Sequence, residues 1–120
     1  MPKLIKIKTI KDTRGSLGVI GEDLPFKIMR TFFLYDVTKE RGGHRHKSST
    51  QALICLNGRC DVNVQTQTED TKFSLQDNST CLILDPEDWH TMNNFSNGAI
   101  LLVMASEPYD PKDYIYEPYR

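Results

Sequence analysis

Short stretches of alternating apolar and polar residues recur from one end of this chain to the other. Each is closed within a few positions by a turn signal, and no segment sustains a helical period. Leu4 to Ile10 alternates apolar residues with lysines, and Arg14-Gly15-Ser16-Leu17-Gly18 is a turn that leads into Val19-Ile20. Ile28 to Val37 predicts a longer strand, and Gln51 to Leu56 an apolar one. Asn57-Gly58 is a hairpin turn, after which Cys60 to Val64 resumes the alternation. Lys72 to Leu75, Thr80 to Leu84, His90 to Asn94 and Ala99 to Ala105 complete the strand set, and a short helix is expected over Pro111 to Ile115. Many short strands with closely spaced turns predict an all-β sandwich or jelly roll with a short C-terminal tail or helix.

The 120 residues suit one compact domain spanning 1–120, with no internal repeat or linker. A net charge of −1 with both signs interspersed leaves no broad basic surface, so no nucleic-acid partner is expected. No apolar run is long enough for a signal peptide or a bilayer span. The expectation is a cytoplasmic protein with no membrane partner. Cys55, Cys60 and Cys81 are odd in number, lack CxxC spacing and lie in strand-like stretches, which favours reduced, buried thiols.

The chemistry-bearing stretch is Arg41-Gly42-Gly43-His44-Arg45-His46-Lys47. In a strand, His44 and His46 share one face while Arg45 and Lys47 take the other. Gln51 begins the next strand, and His90 follows the Pro-containing turn Asp85-Pro86-Glu87-Asp88. A pocket lined by several imidazoles suits proton transfer, since a neutral imidazole titrates near ~6.5.

This arrangement resembles the cupins, small jelly-roll barrels. His44, His46 and Gln51 match their first motif, and His90 with Asn94 matches the second. Gln51 stands where metal-binding cupins carry glutamate and supplies no negative charge to a cation, so no metal or other cofactor is expected.

The resemblance becomes narrower with Leu53-Ile54-Cys55-Leu56-Asn57-Gly58, Trp89-His90-Thr91-Met92 and the tail Ala105-Ser106-Glu107-Pro108-Tyr109-Asp110 to Asp113-Tyr114-Ile115. In this order, and over nearly the whole chain, these pieces are similar to the WxcM-like sugar-nucleotide 3,4-ketoisomerases. The resemblance implies a homodimeric cupin that converts a dTDP-linked 4-keto-6-deoxy sugar to its 3-keto isomer without metal, on the way to a 3-amino-3,6-dideoxy sugar. It implies His44 as base at C3, His46 and His90 as further catalytic histidines, and Arg41, Gln51, Arg14 and Arg30 as substrate-binding residues. Arg14 and His90 together resemble the branch that makes the galacto-configured product.

Two departures from the pattern stand out. Arg30-Thr31-Phe32-Phe33 lacks the phenol that relatives carry in this strand, and Arg45 replaces a small residue between the histidines. The tail tyrosines Tyr109, Tyr114, Tyr116 and Tyr119 are expected to pack on the barrel or across a dimer interface, and the first strand to offer an edge for exchange between subunits. Two other readings of the same residues remain open here: a metal-dependent cupin enzyme using His44, His46, Gln51 and His90, and a non-catalytic sugar-nucleotide sensor.

Overall fold

The computed structural model describes all 120 residues and contains twelve strands. They are β1 (Lys3–Lys6), β2 (Lys8–Asp12), β3 (Gly15–Val19), β4 (Arg30–Tyr35), β5 (Arg41–His46), β6 (Gln51–Asn57), β7 (Cys60–Gln65), β8 (Asp70–Leu75), β9 (Thr80–Leu84), β10 (Trp89–Asn93), β11 (Ile100–Ala105) and β12 (Tyr114–Ile115). Two five-stranded antiparallel sheets, ordered β1-β9-β6-β11-β4 and β12-β5-β10-β7-β8, face each other as a jelly-roll sandwich. The expected all-β cupin-type fold is therefore observed. The expected helix shrinks to a single 3₁₀ turn, Pro111–Asp113, which Asp110 caps through its side chain.

Strand parity assigns each residue its layer. Leu53 and Cys55 of β6, Leu82 and Leu84 of β9, and Leu101 and Val103 of β11 point between the sheets. There they meet Val62 and Val64 of β7 and Leu75 of β8. The alternate residues Ala52, Ile54, Cys81, Ile83 and Met104 form a second core on the opposite face of the first sheet. Leu24, Phe26 and Ile28 cover it from the segment before β4. This sheet is buried on both faces, which explains why Gln51 to Leu56 reads as a nearly continuous apolar run. All three cysteines are buried and unpaired.

The predicted first strand breaks at Ile7, whose side chain turns into the second core and whose N–H donates to the Ser79 carbonyl at 2.7 Å. Its first half pairs with β9 of the same chain, and its second half joins β3 in a hairpin that pairs with nothing else. The end of the sandwich between β4, β5, β10 and β12 is where the interior changes from apolar to polar.

Candidate active site

β5 and β10 run antiparallel with His44 directly opposite His90, so both imidazoles point into the sandwich. His46, two residues along β5, lies opposite Tyr114 of β12. The ring centroids of His44 are 5.0 Å from those of both His46 and His90, and 4.6 Å from that of Tyr114. A cavity of about 450 Å³ opens beside this cluster. Arg30, Arg41, His44, Gln51, His90 and Tyr114 line its polar side, while Leu34, Leu53, Met92 and Val103 form an apolar wall.

Five of the seven residues singled out from the sequence thus share one cavity. His46 is brought to the cluster but sits behind His44, 4% exposed and outside the cavity lining. Arg14 is not brought to it. It occupies the exposed turn of the β2–β3 hairpin, where its guanidinium pairs with Asp12 at 2.6 and 3.3 Å. Asn94 is also turned away: its backbone adopts φ 54° and its side-chain amide donates to Asp61 at 2.9 Å. The motif spacing that coupled it to His90 therefore marks a structural amide.

The histidines are electrostatically distinct. Burial lowers the pKa of His44 to about 4, with smaller lowering from His46 and Arg30 against a raising contact with the Gly42 carbonyl. Burial takes His90 lower still, to about 3. Both rings are therefore neutral at ordinary pH. His90 Nδ1 lies 3.0 Å from the Asp88 carbonyl oxygen, which can only accept, so Nδ1 carries the proton and Nε2 is an acceptor. Burial also lowers the pKa of His46, opposed by a 3.0 Å contact from its Nδ1 to Asp113 Oδ2.

Cation and phenol meet at Arg30. Its guanidinium lies over the rings of Phe32 and Tyr109, 4.6 and 4.9 Å from their centroids, and donates to the Tyr114 hydroxyl at 3.3 Å. Tyr114 is the principal site residue that strand patterning does not identify. Its sequence context places it with the packing tyrosines of the tail, yet it brings a phenol to a cavity whose β4 wall carries Phe32. The rest of the tail packs on the barrel only in part, since Tyr109 and Tyr116 are 62% and 66% exposed. The Trp89 indole N–H donates to the Tyr116 carbonyl at 3.0 Å, Tyr119 donates to the Glu87 carbonyl at 2.7 Å, and Arg45 turns outward over the Tyr119 ring. No group of three or more His, Cys, Asp or Glu side chains is disposed to hold a metal ion, and Gln51 offers only an amide, so this donor set does not fit one.

The sequence family described as "FdtA: WxcM-like, C-terminal" matches residues 1–120. A TDP-4-oxo-6-deoxy-α-D-glucose-3,4-oxoisomerase from Aneurinibacillus thermoaerophilus is 39% identical over 117 residues, covering 94% of this chain and 84% of its own. The 3,4-ketoisomerase QdtA from Thermoanaerobacterium thermosaccharolyticum, crystallised with TDP, superposes with a TM-score of 0.93 at 40% identity, covering 97% of this chain and 88% of its own. The TDP-fucose-3,4-ketoisomerase WlaRA from Campylobacter jejuni does so with a TM-score of 0.92 at 35% identity, covering 97% and 89%. A match over the full chain, together with relatives of this identity and coverage, establishes that the chain belongs to the WxcM-like family of sugar-nucleotide 3,4-ketoisomerases.

Proposed function

We propose that this enzyme converts TDP-4-keto-6-deoxyglucose to its 3-keto isomer, with His44 as the base at C3. The observation that carries this reading is a neutral imidazole on the wall of a cavity that also presents two guanidinium groups and a phenol. His44 removes the C3 proton, and the electron pair moves to form an enediolate with the charge on the C4 oxygen. Passage of the O3 proton to the C4 oxygen and delivery of a proton to C4 complete the isomerisation, so the hydrogens lost from C3 and O3 are replaced by hydrogens on C4 and O4.

Each remaining group has a task. Arg30 and Tyr114 stabilise the enediolate oxygens: Tyr114 accepts from Arg30, which leaves its own proton to donate into the cavity. His90, with Nε2 as acceptor, takes a hydrogen bond from a sugar hydroxyl. Gln51 contributes an amide to a sugar oxygen. Arg41, exposed at the cavity mouth, binds the pyrophosphate through its planar fork.

The chain acts as one catalytic domain and as a homodimer. The β2–β3 hairpin leaves Ile10 and Leu17 exposed and makes no sheet contact within its own chain, so it reaches toward a second subunit. Arg14 at its turn would then complete the partner's site, and with His90 it favours the galacto configuration at C4. The product suits a 3-aminotransferase that builds a 3-amino-3,6-dideoxy sugar. No helix is long and apolar enough to cross a membrane, in keeping with work in the cytoplasm.

The test is NMR of the purified protein with TDP-4-keto-6-deoxyglucose. The 3-keto product is expected, with the coupling at C4 giving its configuration. An unchanged 4-keto sugar would remove this substrate from the account.

A further inference from the structure

The 3₁₀ turn at Pro111–Asp113 ends on a carboxylate that the catalytic scheme has not used. Asp113 Oδ1 accepts from the Ser48 N–H at 2.8 Å. Oδ2 accepts from the Ser49 N–H at 3.3 Å and lies 3.0 Å from His46 Nδ1. The Asp113 backbone carbonyl also accepts from the Lys47 N–H at 2.9 Å. Both backbone amides can only donate, so both carboxylate oxygens are acceptors, and His46 Nδ1 must carry the hydrogen. Its Nε2 is left with a lone pair, fully buried and without a partner.

Packing alone does not call for such an arrangement. A buried ring nitrogen with nothing to bond is unfavourable, and an apolar side chain of similar shape would avoid it. The nitrogen belongs to a ring 5.0 Å from that of His44 and at 88° to it, on the side away from the cavity. We propose that Asp113 is a positioning residue for the isomerisation, holding His46 in the Nδ1–H tautomer so that Nε2 remains an acceptor behind His44. This rests on the reading of His44 as the base.

The consequence is specific to the reacting state. When His44 takes the C3 proton it becomes a cation beside two neutral imidazoles. A lone pair on His46, with a carboxylate behind it, favours that cation, whereas the opposite tautomer would turn an N–H toward it. His46 and Asp113 stabilise the His44 cation without taking its proton. The interaction strengthens only as charge develops, so its loss lowers kcat and leaves KM little changed.

Two measurements on the dimer-competent full chain decide this. The first is ¹⁵N NMR of the imidazoles in the free enzyme, which needs no substrate. His46 should show a protonated Nδ1 and an unprotonated Nε2, and an Nε2–H tautomer in the wild type would overturn the proposal. The second is a double-mutant cycle with Asp113→Asn and His46→Gln. Asparagine keeps the shape of Asp113 but must direct an NH₂ at one of the donors it faces. In the wild-type background Asp113→Asn should lower kcat on the order of 10- to 100-fold, as loss of a partner that orients a functional imidazole does. In the His46→Gln background it should cost almost nothing further. Equal losses in both backgrounds, or a loss confined to KM or to the folded fraction, would mean Asp113 merely anchors the tail. If the wild type turns over no 4-keto sugar, the substrate assignment fails, while the tautomer of His46 still decides the role of Asp113.

Discussion

His44 and His90 face each other across the β5–β10 pair with ring centroids 5.0 Å apart, yet they are prepared for opposite tasks. His90 is 2% exposed and hydrogen-bonded through Nδ1, whereas His44 is only partly buried and lies on the cavity wall. Burial holds both rings neutral, with a smaller contribution from His46 at His44 and from His44 and His46 at His90, and neutral is the form in which His44 can accept a proton.

The pH dependence of kcat/KM follows from this. The pKa of His44 is lowered from 6.5 to about 4, so its basic form is already present well below neutrality. Protonation removes the base, so activity should fall as pH drops through about 4 and show no loss from this group as pH rises. Initial rates over an acid series check it. An acid limb near the ordinary histidine value would contradict the burial of the ring.

Gly42 sets the closeness of the two strands. It adopts φ +86°, and a Cβ placed there would lie 2.9 Å from the His90 carbonyl oxygen and 3.2 Å from Thr91 Cα. Gly42→Ala should destabilise the fold by about 1–3 kcal/mol, through backbone strain and separation of β5 from β10. Urea unfolding measures the first effect. A loss of activity in the fraction that remains folded measures the second.

Tyr114→Phe keeps the ring against His44 and His46 and removes only the hydroxyl that accepts from Arg30. If the phenol stabilises the enediolate, kcat should fall about 10²-fold with a small change in KM. Steady-state kinetics with unchanged thermal unfolding would assign the loss to chemistry.

Chelation is expected to leave turnover intact. The three histidines and Gln51 do not compose a metal site, and the scheme stabilises charge with Arg30 and Tyr114 instead. Rates before and after dialysis against EDTA check this, and recovery dependent on an added divalent ion would contradict it.

The sequence made one half of this site legible and hid the other. Parity along a strand is a local property, so the common face of His44 and His46, the inward turn of Gln51 and the hairpin at Asn57-Gly58 all follow from alternation and turn chemistry. Tyr114 and Asp113 depend instead on a two-residue strand, β12, pairing with β5 across about 70 positions, and nothing local in the tail announces that contact. Asn94 shows the converse error. Its spacing from His90 fits a motif, but a left-handed backbone turns it toward Asp61. Ile7 divides the expected first strand because its side chain serves the second core, a face that exists only once the segment before β4 folds over the sheet. Arg14 lies beyond the reach of its own chain's cavity, at an exposed hairpin turn where it pairs with Asp12.

The central claim is that His44 abstracts the proton at C3. The most direct test follows C3 hydrogen exchange by NMR in D₂O with TDP-4-keto-6-deoxyglucose, comparing wild type with His44→Asn. The account predicts deuterium incorporation and 3-keto product for the wild type, and a loss of both by roughly 10²- to 10⁴-fold in the variant with substrate still bound. Undiminished exchange at C3 in the variant would contradict it and pass the role of base to another group in the cavity.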